Sequence, residues 1–216
     1  MISNRTNQSD KGGVSIMLRK TLQFSTKPIQ PENGNTIIGI KVFGLQTLPL
    51  HMFAVYMPPV NYYMDSYMEY IDLMQGLVDR YSPEGSIIFC GEFNSDVTNI
   101  HMLRNDIRAS AFQLFLQRNN LCDISTLGSP KYTFRPTKKT LDYVVTGRWQ
   151  TGLVYEHSIL DNDCCVVSDH LPLLTKVRIP VVNHIQKEQH SPYRTAKCTS
   201  IMDPKWTRKR QNQYLL

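Results

Sequence analysis

Four places in this 216-residue chain end or open an apolar run on a side chain able to hold a proton, a water or a cation. Tyr56 follows Phe53-Ala54-Val55. Glu92 and Asn94 follow the run Ile87 to Cys90 and a glycine, Gly91. Asp142 opens onto Tyr143-Val144-Val145, and Asp169 with His170 follows Val166-Val167 and precedes Leu171-Pro172. A carboxylate or imidazole in an apolar strand is costly unless it is paired or stands at a rim. One such feature is ordinarily structural; four suggest a shared cleft. The chemistry this set suits is phosphodiester hydrolysis. A divalent cation held by carboxylates neutralises a phosphate and lowers the pKa of a bound water. A histidine oriented by a carboxylate, as Asp142 could orient His170, acts as a base or stabilises a charged transition state. The Tyr56 hydroxyl could donate to a phosphate oxygen. Taken singly, Glu92 also reads as a solvated loop acid, and His170 as a hydrogen-bonded rim histidine.

Those residues need elements to carry them. Ser86 to Asn94, SIIFCGEFN, reads as a buried strand closed by Gly91 at a sheet rim, with Glu92 and Asn94 on one face beyond it. Gly13 to Lys20 has strand alternation, residues 1 to 12 read as a loop, and the Pro/Gly/Asn-rich KPIQPENGN separates Gly13–Lys20 from a strand at Thr36 to Phe43, as in a hairpin. Leu50 to Tyr56 is a third strand. Tyr67, Ile71, Met74 and Val78 form one apolar stripe of a helix over roughly 62–81, opposite Asp65, Glu69, Asp72 and Asp79. A second helix is expected from Ile107 to Arg118, closed by Asn119-Asn120. Further short strands are expected at 121–124, 131–134, 141–146, 153–159 and 171–179. Strands in mostly antiparallel steps, with few helices, predict an α+β sandwich of two facing sheets with helices outside.

Composition narrows the class. A hydrophobic share of 41% supports a core, and no run of about 18 apolar residues offers a membrane span. The polar opening MISNRTNQSDKGG lacks a signal peptide's apolar region. Five cysteines at 90, 122, 164, 165 and 198, without paired spacing, suit a reducing compartment, and Cys90 and Cys122 read as core thiols. The expectation is an intracellular protein, nuclear or cytoplasmic and not secreted, acting as a monomer without a membrane partner. The charge is uneven: residues 181–216 hold seven Lys/Arg against Glu188 and Asp203, or +5 of the total +6. A basic tail of this kind fits a polyanion such as nucleic acid, or a solvated linker.

The strings VYMPP (55–59), IIFCGEFN (87–94), LDYVV (141–145) and VSDHLPLL (167–174), with GGVSIMLRK (12–20), resemble the endonuclease/exonuclease/phosphatase superfamily, the DNase I-like fold. Within it they most resemble the endonuclease domain of LINE-type non-LTR retrotransposons, over about residues 12 to 178. The resemblance implies a two-sheet β-sandwich flanked by helices and a Mg²⁺ (or Mn²⁺) cofactor. It implies DNA as partner and nicking of a target whose freed 3′ hydroxyl primes reverse transcription. It gives Tyr56 contact with phosphate and has Glu92 and Asn94 position the water. Asp142 orients His170, and Asp169 helps to hold the metal. PKWTRKRQNQY (204–214) resembles the start of a linker to a reverse transcriptase, so the chain divides into a domain over 1–180 and a basic tail over 181–216. Two departures bear on activity. The family has Asp where this chain has Glu92, and the family's first strands, with a metal-ligand Glu, are expected before GGV. The domain is therefore expected to be incomplete at its N-terminus, with weakened metal binding and low or no activity. The alternatives are a catalytically dead remnant that binds nucleic acid weakly, and an inositol- or sphingolipid-phosphate hydrolase of the same superfamily.

Overall fold

The computed structural model describes residues 2–4, 13–21, 24–29, 36–43, 48–98, 106–124, 132–160, 168–180 and 193–195. In chain order, strands β1 (Ile2–Asn4), β2 (Val14–Ile16), β3 (Ser25–Ile29), β4 (Ile37–Phe43) and β5 (Leu50–Tyr56) lead to helix α1 (Met64–Tyr81). Then come β6 (Ser86–Glu92), helix α2 (Ile107–Arg118), β7 (Leu121–Asp123) and β8 (Asp142–Gly147). A 3-10 turn (Arg148–Leu153), β9 (Val154–Ile159), β10 (Leu173–Pro180) and β11 (Tyr193–Thr195) complete the described chain.

Six strands form one sheet in the order β3-β4-β5-β6-β8-β7. Every pairing in it is antiparallel except β5 with β6. A parallel pair needs a crossover connection, and α1 supplies it. The helix buries Tyr67, Ile71, Met74 and Val78 and exposes the four acids of its other stripe, as its periodicity predicts. It starts at Met64 rather than Tyr62, because residues 59–62 form a turn in which the Tyr62 N–H donates to the Pro59 carbonyl. Helix α2 has the expected bounds. Asp106 caps it by accepting from the N–H groups of Arg108 and Ala109, and Asn120 leaves it at φ 50°.

Period two divides the core between the two faces of this sheet. Phe53, Val55, Phe89, Tyr143 and Val145 pack on the helical side against Tyr67, Met74, Phe112 and Phe115. Phe53 and Phe89 stack there with ring centroids 5.3 Å apart, so Phe53→Ala costs about 3–5 kcal/mol. Ile38, Ile40, Ala54, Ile88, Cys90 and Val144 face the other way, against Val14, Ile16 and the partly buried Val154, Leu173 and Val177. That second layer consists of the β1-β2 pair and a sheet ordered β11-β10-β9. The α+β two-sheet sandwich is as expected, with both helices on one outer face.

Several local expectations are corrected. Ile2–Asn4, read as loop, pairs with β2. The partner of β4 is not Gly13–Lys20 but β3, whose Lys27-Pro28-Ile29 belonged to the expected turn. Pro28 is tolerated because β3 is the sheet's edge, where a missing N–H leaves no ladder broken. Of the strand expected at 131–134, only two isolated bridges form among the described residues, from Phe134 to Lys139 and to His170. Cys90 is buried, but Cys122 is only half-buried, because β7 is the opposite edge strand. Cys164, Cys165 and Cys198 lie outside the described residues. No described helix is long and apolar enough to cross a membrane.

Candidate active site

Strand direction gathers the candidate residues. Because β5 and β6 run parallel and β8 runs against them, the ends of β5 and β6 meet the beginning of β8 at one rim. The register makes Tyr56 the neighbour of Glu92, and Glu92 the neighbour of Asp142. All three sit two residues from members of the second-layer core (Ala54, Cys90 and Val144), so they face the cleft between the layers. Gly91 makes the corner possible. Its φ is +142°, and a Cβ there would lie 1.9 Å from the Val55 carbonyl oxygen.

Backbone hydrogen bonds pin the corner from both sides. The Met57 N–H donates to the Glu92 carbonyl at 2.8 Å, and the Phe93 N–H to the Leu141 carbonyl at 2.7 Å. Asn94, at φ 49°, donates its side-chain amide to the Met57 carbonyl at 2.8 Å. Asn120 and Lys138 are the other described non-glycine residues with positive φ.

His170 comes from the other layer, on the segment leading into β10. Thr133 stitches the two layers together. Its buried hydroxyl accepts from the N–H groups of Leu141 (2.9 Å) and Asp142 (3.1 Å), while its carbonyl accepts from the Leu171 N–H at 2.7 Å. The Arg135 N–H donates to the Asp169 carbonyl, and the Phe134 ring packs against His170 with centroids 4.9 Å apart. The imidazole is thereby set so that Nδ1 lies 2.8 Å from Asp142 Oδ2, with Nε2 3.9 Å from Glu92 Oε1.

Electrostatics follow from this packing. Burial alone would depress the His170 pKa. The hydrogen bond and charge of Asp142, with the fields of Glu92 and Asp169, outweigh it and hold the pKa above 6.5. The Tyr56 hydroxyl is pushed up to about 12, first by burial and then by the Glu92 charge, so it keeps its proton. Glu92, Asp142 and His170 each offer one ligand atom, all within 4.8 Å of one another. Asp142 Oδ1 is buried and makes no hydrogen bond among the described residues. A buried carboxylate oxygen left over beside a second carboxylate fits a divalent cation.

Five of the six expected residues thus converge on one rim. The sixth, Asp169, is exposed at its edge; its charge acts on His170, but it is not among the three grouped ligand atoms. Sequence reasoning missed Thr133 and the ring packing of Phe134. A threonine in an extended run carries no signal of which backbone groups its hydroxyl will serve.

Residues 50–174, more than half of the chain, match the model of the endonuclease-reverse transcriptase family. The chain belongs to that family. The endonuclease-reverse transcriptase family lies within the endonuclease/exonuclease/phosphatase superfamily, and solved structures agree at the level of fold. The endonuclease domain of TRAS1, a telomere-specific non-LTR retrotransposon, superposes with a TM-score of 0.57 at 14% identity, covering 73% of this chain and 68% of that one. The 3′ phosphatase NExo from Neisseria, bound to a product DNA hairpin, gives 0.54 at 13% identity, covering 70% of each chain. The AP endonuclease LMAP from Leishmania major gives 0.54 at 16% identity, covering 65% of this chain and 54% of that one. No curated protein matches the chain.

Proposed function

We propose that the chain is a metal-dependent phosphodiesterase that nicks DNA. In this reading it is the target-nicking endonuclease domain of a non-LTR retrotransposon, slowed by Glu92 in place of an aspartate. The observation that carries the reading is the arrangement of Asp142, His170 and Glu92 at a strand-end rim, with Nδ1 held at 2.8 Å and Nε2 turned toward a carboxylate 3.9 Å away. Family membership and the fold shared with a retrotransposon endonuclease domain support DNA as the substrate. Residues 1–180 would form the nicking domain. The basic residues 181–216, which include β11, would lead toward a reverse transcriptase.

In this reading the scissile phosphate lies over the rim. Tyr56 keeps its proton and donates to a phosphate oxygen. Asp142 holds His170 by Nδ1, so that Nε2–H stabilises charge building on the phosphate. The donor end of Asn94 is committed to Met57, so its oxygen, together with Glu92, aligns the attacking water. Glu92 and Asp142 Oδ1, with Asp169 beside them, would hold Mg²⁺ or Mn²⁺, which when bound supplies charge neutralisation and a more acidic water. Glu92 sets its carboxylate about 1 Å beyond an aspartate's, a displacement that can cost roughly 10²-fold in rate.

The test is nicking of supercoiled plasmid by the full chain with Mg²⁺, Mn²⁺ or EDTA. The expected result is slow, EDTA-sensitive nicking that His170→Ala abolishes and that Glu92→Asp raises by up to about 10²-fold. Glu92 also favours the second reading, a remnant that binds nucleic acid without cutting it. A folded wild type and a folded Glu92→Asp that both fail to nick would put that reading in place of the first.

A further inference from the structure

At the start of β5, away from the rim, His51 is fully buried, and neither of its ring nitrogens makes a hydrogen bond among the described residues. Burying an imidazole without partners is costly, so the position calls for a physical reason. The candidate active site does not supply one, because His51 stands five residues before Tyr56, about 17 Å along an extended strand. Its Nε2 lies 3.7 Å from Oε2 of Glu84, beyond hydrogen-bond length. Glu84 belongs to the turn between α1 and β6, and its side chain is 47% exposed.

Cations gather around that carboxylate. Lys41 on β4, paired in register with His51, donates to Glu84 Oε2 at 2.7 Å. Lys27 on β3 stands opposite Lys41, and the Phe43 ring draws both ammonium groups to within 5.4 and 5.7 Å of its centroid. On α1, the Tyr81 ring packs against His51 with centroids 4.8 Å apart and carries Arg80 at 5.5 Å. The Arg80 charge acts on Glu84 as well. Burial, and then the Lys41 charge, hold the His51 pKa below 6.5 against the Ser86 backbone and Glu84. With Glu84 in place the imidazole is therefore neutral, and it can still take up a proton and donate.

We propose that this corner is a binding site for a dianionic phosphate group, with Glu84 as the built-in occupant that the phosphate displaces. A carboxylate brings a single negative charge and two oxygens. A phosphate brings more of both, enough to engage Lys41, Arg80 and His51 together, and Lys27 adds to the field. Exchange is easy, because an exposed ion pair contributes little to stability. The N–H groups of Glu84 and Gly85 both donate to the Tyr81 carbonyl, so the turn stays fixed while the Glu84 side chain rotates away. The departing carboxylate leaves room beside Nε2, and the imidazole gains the partner it otherwise lacks. This site goes beyond the DNA-nicking reading and does not depend on it.

The test follows the imidazole signals of His51 and His170 by NMR in the full chain, in EDTA, as inorganic phosphate is added against sodium chloride of equal ionic strength. The expected result is a saturable shift of His51 and a rise in its pKa. Glu84→Gln should bind phosphate more tightly, by up to roughly fivefold, because the competitor is gone. Lys41→Gln should bind it roughly tenfold more weakly, with the melting temperature little changed. A His51 signal unmoved by phosphate, a shift confined to His170, or a Glu84→Gln protein that binds no more tightly than wild type would overturn the proposal. Two oligonucleotides, with and without a 5′ phosphate, identify the source of the group. A His51 shift with the phosphorylated one alone supports the site and assigns it to a nucleic-acid end. A shift with inorganic phosphate and with neither oligonucleotide supports it and assigns it to small phosphates. Equal shifts with both oligonucleotides would overturn the preference for a dianion.

Discussion

Asp142 divides its two carboxylate oxygens between two tasks: Oδ2 holds His170 Nδ1 at 2.8 Å, and Oδ1 stays buried without a hydrogen bond among the described residues. The same pair sets the charge of His170. Burial opposes protonation, but Asp142, Glu92 and Asp169 prevail and hold the pKa above 6.5. The sign for stability follows. A folded pKa above the unfolded value contributes stability that is fully present below pH 6.5 and is lost as pH rises through the folded value. In an NMR titration His170 should therefore titrate above 6.5, and Asp142→Asn should bring it down. A wild-type value at or below 6.5 would show that burial had won.

At the scale of elements, the rim depends on how strands are joined rather than on what they carry. The parallel pairing of β5 and β6 places Val55 against Gly91, and a side chain at Gly91 would collide with the Val55 backbone. Gly91→Ala is expected to destabilise the fold by more than about 4 kcal/mol or to prevent folding, read by urea denaturation. A variant within about 1 kcal/mol of wild type would mean that the corner can relax. Thr133 joins the start of β8 to the segment before β10. Thr133→Val keeps the shape and leaves the N–H groups of Leu141 and Asp142 without their acceptor, at a cost of about 1–3 kcal/mol. Because Asp142 is held through that bond, nicking should fall further than stability alone explains, measured at a temperature where the variant is fully folded.

At the scale of the molecule, the candidate site is shared between layers. Tyr56, Glu92, Asn94 and Asp142 belong to the six-stranded sheet and its rim, and His170 to the segment entering the other sheet. Charge is divided too: beyond β11, residues 197–216 carry five Lys/Arg against Asp203. If this stretch meets DNA phosphates, a chain ended after Ala196 keeps β11 and loses salt-dependent affinity. The log–log salt slope of duplex binding, read by fluorescence anisotropy, should fall in magnitude by up to roughly four, with the nicking rate at saturating DNA unchanged. An unchanged slope would mark the stretch as a solvated linker.

The amino-acid sequence by itself determined which residues could meet. The apolar runs ending at Tyr56, Gly91 and Val145, and the stripe Tyr67-Ile71-Met74-Val78, are local patterns with one favourable conformation each, and they marked both the elements and the rim residues. Partnership was not legible. Whether Thr36–Phe43 pairs with Gly13–Lys20 or with Ser25–Ile29 depends on contacts between distant segments, and so does the choice of backbone groups that the Thr133 hydroxyl serves. Tertiary structure alone decided these. It aligned Tyr56, Glu92 and Asp142 in one register and brought His170 across the cleft. It also opened a cavity between residues as far apart in the chain as Tyr62 and Lys139. The physical reason is that hydrophobic periodicity acts over a few residues, while register and cavities arise only when whole layers pack.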